Sequence, residues 1–441
     1  MKVLTIGGGG RECAAVEAFR RAGSEVYAVM KNGNPGIIRM AKDFIYTDEG
    51  NLERIVGYAK EKGVELAFVG PEAPLEMGIV DALEEAGIPC ASPTKAAARI
   101  ETSKSFMRDL VHRYGVDGNL GYAAFDSAEG IEEYLGTLDY EVVVKPIGLT
   151  GGKGVKVEGE HLHSMKDIME YVHEIFNQNI GKAGVIIEEK AVGEEFTQMV
   201  FCDGKTIAPM PMVQDHKRAY EGDVGPNTGG MGSYSDANHL LPFANGKDRE
   251  DSLDILRQIV KAMSDDGCPY HGVMYGQFML TKNGPKIIEI NARFGDPEAM
   301  NVLPILEDNF EKICNDMAHG TLSEKVKFAN KATVCKYVVP KGYGTSPEAG
   351  HEIRVNEEGI REAGSVMYYA NVDIVNRKVV TGTSRSIGMV GIDDTLEKAD
   401  WNCESALKYV VSDGVTVRHD IGTRKLIQRR IDHMKEIRGD D

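Results

Sequence analysis

The first hundred residues alternate between short apolar runs and longer stretches with helical spacing of apolar positions. Residues 3–6 predict a strand, 11–22 a helix and 25–30 a second strand. Further elements of this kind are predicted as helices over 52–62 and 79–87 and strands over 66–70 and 88–91. Alternating strand and helix units are typical of an α/β domain with a parallel sheet.

Beyond residue 94 the predicted helices become longer, and the last two predicted strands pair with each other. The predicted elements are helices over 95–114 and 250–265 and strands over 142–146, 184–196, 196–201, 273–280 and 286–291. Asn283-Gly284 between the last two strands is a hairpin signal. That hairpin would place Gln277 opposite the region of Glu289.

From about residue 331 the pattern changes again. Strand-like runs over 332–338, 365–372 and 379–386 precede an amphipathic helix predicted over 395–411. This succession indicates a small α+β domain at the C-terminus. The chain is therefore predicted to be a multidomain protein of α/β and α+β class, which agrees with its 441 residues.

The predicted strand over 286–291 has two different faces. Ile288 and Ile290 fall on one face, and Glu289 and Asn291 on the other. Carboxylate and amide oxygens suit Mg²⁺, which takes further ligands from water and substrate phosphates. An edge strand with a solvated polar face has the same pattern, so both interpretations stay open at this point.

Glycines at positions 7–10 stand between the first predicted strand and the first helix. This arrangement is typical of a phosphate cradle, although a tight turn without a ligand has the same sequence. Cys13 occupies the place of the third glycine of a dinucleotide fingerprint, which argues against a dinucleotide. Glu72, in a proline-fixed loop, would either bind a sugar hydroxyl or act as a helix N-terminal charge.

A glycine-rich segment at 148–155 lies between two predicted strands and carries Lys153, with Lys145 at the end of the preceding strand. The order of glycines and lysine is not that of a Walker A loop, which also requires a helix next. We interpret the segment as a lid over a triphosphate; an ordinary glycine-tipped hairpin is the alternative. The acidic end of strand 184–196 would then present backbone groups to an adenine edge and Glu195 to ribose hydroxyls.

Segments 214–218 and 225–232 are, respectively, densely charged and rich in glycine. Such loops usually recognise ligands, and a solvated surface loop is the alternative. His216 alone is weak evidence for a general base.

Composition narrows the classes of protein. The net charge of −17 disfavours non-specific binding to nucleic acid or anionic membranes. Seven scattered cysteines without a CxxC pair indicate neither zinc nor a disulfide framework. With no predicted signal or membrane-spanning segment, a cytoplasmic protein is expected.

The order of lysine strand, glycine lid, acid-ended strand and Glu-x-Asn strand resembles the ATP-grasp superfamily. The resemblance is closer to the glycinamide ribonucleotide synthetase family. The residues that carry it span nearly the whole chain: Gly9-Gly10-Arg11-Glu12, 70–75, 151–154, 214–218, 225–232 and 293–298. It implies an N-terminal α/β domain (1–101), a two-part ATP-grasp domain (102–328, lid about 117–190) and a C-terminal α+β domain (329–441).

The family resemblance also implies a reaction and its residues. Glycine would be joined to 5-phosphoribosylamine through a glycyl phosphate, with ATP giving ADP and phosphate, in purine biosynthesis. ATP would contact Lys104, Lys145, Lys153, Glu188, Glu189, Ala191, Val192 and Glu195. Gln277, Glu289 and Asn291 would bind Mg²⁺, with Mn²⁺ as the alternative metal. The catalytic candidates are Arg293, Asp215 and Lys153. The substrate-binding candidates are Gly8, Gly9, Gly10, Arg11, Glu12, Glu72, Asp215, Lys217, Asn227, Thr228, Gly229, Asp296 and Glu298.

One residue departs from the family pattern, because Cys13 stands where the family has histidine after Gly-Gly-Arg-Glu. We expect this to be a mild packing change. The alternative functions are a different ATP-grasp ligase, a catalytically silent nucleotide-binding regulator and an NAD-dependent oxidoreductase. No nucleic-acid or membrane partner is expected, and the chain would be a monomer or a homodimer.

Overall fold

The structure is a computed structural model that describes residues 1–149, 154–181 and 184–439. The tip of the predicted glycine lid, including Gly151, Gly152 and Lys153, lies outside these residues. None of the described helices has the length and apolar run needed to cross a membrane.

The N-terminal region is the predicted α/β unit. Its elements are β1 (Lys2–Ile6), α1 (Gly10–Arg21), β2 (Glu25–Met30), α2 (Pro35–Met40), β3 (Asp43–Tyr46), α3 (Leu52–Lys62), β4 (Leu66–Val69), α4 (Glu72–Met77) and α5 (Ile79–Glu85). The four strands are parallel in the order β3-β2-β1-β4. Val3 packs on the α1 side and Leu4 on the side of α3 and α5, so helices cover both faces.

Two predictions in this region are wrong. Residues 88–91 do not form a strand, and only Cys90 bridges β4, at Ala67. The predicted helix over 95–114 is two helices, α6 (Lys95–Thr102) and α7 (Lys104–Arg113). Ser103 between them is extended, with φ −136° and ψ 103°, and its hydroxyl caps α7 by accepting from the Phe106 N–H.

A small antiparallel sheet with its own core follows. It contains β5 (Tyr122–Phe125), α8 (Ile131–Leu135), β6 (Val142–Pro146), β7 (Lys156–Val157), α9 (Met165–Gln178) and β8 (Val185–Glu189). The strand order is β5-β8-β6-β7. The predicted strand 184–196 is interrupted at 190–193, so β8 belongs to this sheet and the next strand to the central one.

Residues 194–319 contain the central sheet, which includes the strand predicted to bind the metal, together with several other elements. The elements are β9 (Glu194–Asp203), β10 (Ile207–Pro209), β11 (Gln214–Asp215), β12 (Arg218–Tyr220), β13 (Val224–Asn227), β14 (Gly232–Ser235), α10 (Gly246–Asp265), β15 (His271–Thr281), β16 (Gly284–Asn291), α11 (Glu298–Val302), a 3-10 turn (Leu303–Ile305) and α12 (Phe310–His319). The central sheet itself has four antiparallel strands in the order β10-β9-β15-β16.

A β-bulge corrects the predicted alternation in β16. Gln277 pairs with Glu289 as predicted, but Phe278 pairs with Ile287, which leaves Ile288 as the extra residue. Ile287 and Ile290 are therefore the buried apolar residues of the strand, and Ile288 is only partly buried. The prediction that Ile288 shares the core face of Ile290 is wrong. It assumes that side chains alternate regularly along the strand, and the extra residue of the bulge interrupts that alternation.

The C-terminal region is the predicted α+β unit, but several of its strands and helices begin or end at other residues than predicted. It contains β17 (Ala332–Pro340), β18 (Glu352–Val355), α13 (Glu357–Glu362), β19 (Ser365–Tyr369), β20 (Val372–Val375), β21 (Lys378–Thr381), β22 (Ile387–Asp393), α14 (Leu396–Leu407), β23 (Val410–Val411), β24 (Val415–Thr416) and α15 (Arg424–Arg438). The predicted strand 365–372 is broken after Tyr369, and the predicted strand 379–386 ends at Thr381. The predicted helix 395–411 ends at Leu407, and the sequence analysis does not predict α15. The sheet β11-β14-β17-β22-β19 joins this region to segments 214–215 and 232–235.

Candidate functional site

The hairpin of β15 and β16 brings the predicted metal-binding residues together. Gln277 lies opposite Glu289, and Tyr275 opposite Asn291. Asn291 Nδ2 donates to Glu289 Oε1 over 3.1 Å. Burial raises the pKa of Glu289, but Lys217 and Asn291 outweigh burial and hold that pKa below its usual value. An ionised carboxylate beside an amide oxygen is a donor pair that suits Mg²⁺.

Gln277 is already engaged by protein groups. Its Oε1 accepts from the Thr197 hydroxyl over 3.2 Å and from the Tyr275 hydroxyl, and its Nε2 donates to Glu195 over 2.9 Å. The described ranges contain no cluster of three or more His, Cys, Asp or Glu suited to a metal ion. A metal here would therefore depend on one carboxylate, amide oxygens and oxygens from a substrate.

Three lysines surround the Glu289 carboxylate. Lys104 Nζ donates to the Gly148 carbonyl over 2.8 Å, and its pKa is lowered by burial. Lys145 Nζ is 2.5 Å from Glu188 and 3.4 Å from the carbonyl oxygen of Ile288. Lys217 pairs with Glu195 at 3.0 Å, with a raised pKa because the nearby carboxylates overcome burial. Cations held in this way suit a polyphosphate.

A buried ion-pair cluster lies behind Lys145. Arg108 on α7 contacts both carboxylate oxygens of Glu188, at 2.9 and 3.1 Å, and donates to the Ile287 carbonyl over 2.9 Å. Although burial disfavours the carboxylate, Arg108 and Lys145 lower the pKa of Glu188 to about 2. The side chain of Glu188, predicted to contact adenine, is thus used to hold two cations.

The other predicted nucleotide contacts lie on the connection after β8. Oε2 of Glu189 accepts the Gly121 N–H over 3.1 Å, Ala191 is partly buried, and Val192 is 58% exposed. Glu195 is the second residue of β9 and contacts Lys217 and Gln277. These residues border the cluster around Glu289, and their roles toward ATP stay predictions.

The N-terminal glycine turn is held by protein groups on two sides. The Gly9 N–H donates to Glu12 Oε2 over 2.8 Å, and Arg11 Nε donates to Glu12 Oε1 over 2.6 Å. Arg11 also donates to the Phe294 carbonyl over 3.0 Å, which ties the turn to the end of β16. A Cβ at Gly10 would collide with the Tyr337 hydroxyl, so close packing requires glycine there.

Gly8 accepts side-chain hydrogen bonds through its carbonyl. Nδ2 of Asn34 donates to it over 3.0 Å and Nδ2 of Asn32 over 3.2 Å, and both asparagines also donate to carbonyls of the C-terminal region. The two asparagines therefore fix the glycine turn against β19.

The segment from Gln214 to Gly232 places several polar groups near Glu195. Oδ1 of Asp215 is buried with no hydrogen-bond partner among the described residues, and burial raises the pKa of this carboxyl. The Thr228 hydroxyl donates to the Lys217 carbonyl over 2.7 Å. Asn227, at the end of β13, is paired with Arg218 across the hairpin.

Asp296 and Glu298 follow the metal strand and occupy separate surroundings. Arg385 of the C-terminal region contacts Asp296 Oδ2 at 3.2 Å and donates to the Gly229 carbonyl over 2.6 Å. The Tyr337 hydroxyl also donates to Asp296. Oε1 of Glu298 lies 2.8 Å from the hydroxyl oxygen of Tyr275, and burial together with Asp215 raises the pKa of Glu298 to about 7.

Arg293 is surrounded by acceptors at the end of β16. It lies 2.8 Å from Glu101 and 3.5 Å from Glu72, and it donates to Asn291 Oδ1 over 3.2 Å. Both carboxylates raise its pKa against the effect of burial, so it is a permanent cation. Glu72 is the first residue of α4, so its carboxylate lies at a helix N-terminus, and its binding of a sugar hydroxyl stays a prediction.

Cys13 lies away from these groups, in the core between α1 and α2. It is 2% exposed, and a Cβ at Gly36 would come within 2.7 Å of its sulfur. Burial raises the pKa of the thiol, which is neutral at physiological pH. A neutral thiol in a packed core has little nucleophilic or proton-accepting capacity.

Sequence analysis missed four residues that hold the site: Glu101, Arg108, Tyr275 and Arg385. Arg108 carried a signal, because its spacing from Met107 and Val111 puts a cation on the apolar face of α7. No sequence pattern indicates Arg385, because its partners are about ninety residues or more away along the chain.

Comparison with known families covers most of the chain. The phosphoribosylglycinamide synthetase models match as the N domain at residues 1–101, the ATP-grasp (A) domain at 102–299 and the C domain at 333–424. The phosphoribosylamine--glycine ligase of Methanothermobacter thermautotrophicus is 49% identical over 99% of this chain and 100% of its own. That of Pyrococcus furiosus is 49% identical over 100% and 98%.

Solved structures agree in fold. The phosphoribosylamine--glycine ligase of Thermotoga maritima has a TM-score of 0.81 at 27% identity, covering 95% of this chain and 100% of its own. A biotin carboxylase domain of Hydrogenobacter thermophilus has a TM-score of 0.73 at 17% identity, covering 98% and 93%. The second likeness shows the fold alone.

Proposed function

This chain belongs to the phosphoribosylglycinamide synthetase family, and on that basis we propose that it joins glycine to 5-phosphoribosylamine. It is an ADP-forming ligase of the ATP-grasp fold that acts in purine biosynthesis. The observation that carries the proposal is the ionised Glu289 beside Asn291 and Arg293, with Lys104 and Lys145 close by.

The family uses ATP with a divalent metal, and we assign Mg²⁺ to this chain. Glu289 and Asn291 would hold it, because they supply adjacent hard oxygens on one strand. Gln277 is a weaker candidate, since its oxygen already accepts from two hydroxyls. When bound, the metal would neutralise charge on the ATP phosphates.

Two displacements complete the reaction. A glycine carboxylate oxygen attacks the γ-phosphorus, and the bond to ADP breaks as glycyl phosphate forms. The amine of phosphoribosylamine then attacks the carbonyl carbon, phosphate leaves, and the nitrogen loses a proton. Lys104, Lys145 and Arg293 stabilise the negative charge that moves during the first step. The chain needs no covalent nucleophile, because positioning and charge are sufficient.

Asp215 is assigned to the ammonium group of glycine. Its buried Oδ1 has no hydrogen-bond partner among the described residues, and its charge raises the pKa of the nearby Glu298. A substrate cation would remove the cost of burying that oxygen unpaired. Asp296, Thr228 and the N-terminal glycine turn are assigned to phosphoribosylamine, and Lys153 keeps its predicted role toward the phosphates.

Some broader assignments accompany this function. We retain the division into domains at 1–101, 102–328 and 329–441, a cytoplasmic location, and a monomer or homodimer as proposals. The alternative ligase and the silent regulator differ from the main proposal in turnover, so one assay separates all three.

That assay measures ADP release with ATP, Mg²⁺ and glycine, with and without phosphoribosylamine generated from ribose 5-phosphate and ammonia. Mass spectrometry identifies the product. Turnover that requires all three substrates supports the proposal. Turnover with another acid or amine would replace the substrates, and ATP binding without turnover on any pair would favour the regulator.

A further inference from the structure

The four residues from Glu101 to Lys104 join two parts of the site that are far apart in sequence. Glu101 ends the buried face of α6, and Lys104 opens α7. Because Ser103 between them is extended, the two side chains are not on one helical face. Lys104 reaches the carbonyl oxygens at the end of β6, through its N–H to Ile147 over 3.1 Å and its Nζ to Gly148 over 2.8 Å.

Glu101 contacts the other part of the site, the residues directly after β16. Its Oε2 accepts the Ala292 N–H over 2.6 Å, and its Oε1 lies 2.8 Å from Arg293 Nη2. Its side chain is 5% exposed, so almost no water competes for either oxygen. A charge-assisted hydrogen bond in such surroundings restricts the donor strongly.

Among the residues that the structure describes, Arg293 has no other contact of comparable quality. Glu72 lies 3.5 Å from Nε, which makes no hydrogen bond among the described residues. The remaining acceptors are neutral: Asn291 Oδ1 at 3.2 Å and the Phe294 carbonyl at 3.3 Å. Without Glu101, the guanidinium would lose its closest charged partner and keep only Glu72 at 3.5 Å, so it would gain rotational freedom.

We infer that Glu101 is a positioning residue that aims Arg293 at the transferring phosphoryl group and fixes the backbone immediately after Asn291. The inference rests on the proposed function, since it assigns Arg293 to that group. Through the short segment to Lys104, the same carboxylate also sets the spacing between the end of β16 and residues 147–148. Misplacement by about 1 Å at a reacting centre costs roughly a hundredfold in rate.

The test is a double-mutant cycle on kcat with Glu101→Gln, Arg293→Met and the double variant. Glutamine keeps an oxygen for the Ala292 N–H but removes the charge and puts an N–H₂ group in place of the oxygen that faces Arg293. We expect Glu101→Gln to lower kcat roughly 10- to 100-fold while KM for ATP changes less than about threefold. In the Arg293→Met background, Glu101→Gln should have little further effect, because its target is gone.

Asp248→Asn is the matched control. Asp248 is likewise buried, accepts one backbone N–H, from Asn245 over 2.8 Å, and pairs with one arginine, Arg438, at 2.7 Å. Because its contacts match those of Glu101, Asp248→Asn should lower the melting temperature about as much as Glu101→Gln does. Because Asp248 is not among the site residues, the variant should keep its kcat. A kcat loss in Asp248→Asn equal to that in Glu101→Gln would reduce Glu101 to a structural role and overturn the inference.

Two further outcomes would overturn it: losses that multiply in the double variant, or an unchanged kcat in Glu101→Gln. The cycle is run with whichever acid and amine the wild-type chain turns over, so failure of the proposed substrates is seen separately in the wild type. A crystal structure of Glu101→Gln gives a readout independent of turnover. An Arg293 side chain that keeps its wild-type position there would refute the positioning role.

Discussion

Replacing Glu188 by glutamine should destabilise the protein strongly, because two buried cations share this one carboxylate. Arg108 and Lys145 lie within 2.5 to 3.1 Å of its oxygens, and the side chains of Arg108 and Glu188 are 0% and 1% exposed. The amide group of glutamine would turn an N–H₂ toward one of the cations. Breaking a buried pair in this way costs about 3–5 kcal/mol.

The lowered pKa of Glu188 gives a second way to calculate how much Glu188→Gln destabilises the protein. The difference between 4.5 and about 2 corresponds to about 3 kcal/mol of unfolding free energy at neutral pH. Because the folded-state pKa is lowered, this stabilisation is present above the unfolded-state pKa and is lost as pH falls through the folded-state value. The gap between wild type and Glu188→Gln should therefore narrow from about 3 kcal/mol at pH 7 to about 2 kcal/mol at pH 3.5.

Urea unfolding followed by circular dichroism at the two pH values measures this gap. Glu189→Gln is the control, because this neighbouring, partly buried carboxylate has a single side-chain hydrogen bond among the described residues, from the Gly121 N–H at 3.1 Å, and that bond is exposed to solvent. That variant should stay within about 1 kcal/mol of wild type. A gap below about 1 kcal/mol for Glu188→Gln, or one that does not change with pH, would show that the carboxylate does not hold the two cations.

Three other variants test separate parts of the site. Glu289→Ala should lower kcat roughly a hundredfold or more with an unchanged circular dichroism spectrum, and near-normal turnover with Mg²⁺ would refute the metal assignment. Cys13→Ser should keep kcat within about threefold while lowering the melting temperature, since a hydroxyl would replace a buried thiol; a large kcat loss at unchanged stability would show that Cys13 takes part in the chemistry. Arg385→Met should raise KM for phosphoribosylamine about tenfold and leave KM for ATP unchanged, because its contacts are with Gly229 and Asp296; equal effects on both KM values would contradict a local role.

The parts of the fold that sequence predicted well depend on local periodicity. The N-terminal βα units repeat over short stretches, and a two-residue turn signal sets the register of the β15–β16 hairpin, so Gln277 was correctly placed opposite Glu289. The failures also have local causes. Ser103 breaks a helix without any proline or glycine, and the bulge at Ile288 inserts one residue into an otherwise regular alternation.

The candidate site was predictable in its residue types but not in its pairing. Glu188 was expected at an adenine, yet its partner Arg108 lies eighty residues earlier on another element. No spacing rule connects positions that far apart, because their proximity follows from how two sheets and a helix pack. The same holds for Arg385 and Asp296, which are 89 residues apart.

The C-terminal region is part of the site for a structural reason that goes beyond single contacts. Strand β17 pairs with β14, and β14 pairs with β11, so the sheet of this region continues directly into the strand that carries Asp215. Tyr337, on the same β17, donates to Asp296 and stands against Gly10. A shift of β17 would therefore move the proposed glycine site and the proposed phosphoribosyl site together. Coupling between the two substrates is thus expected to depend on this sheet, whereas the ion pairs of Lys145 and Arg108 lie outside it.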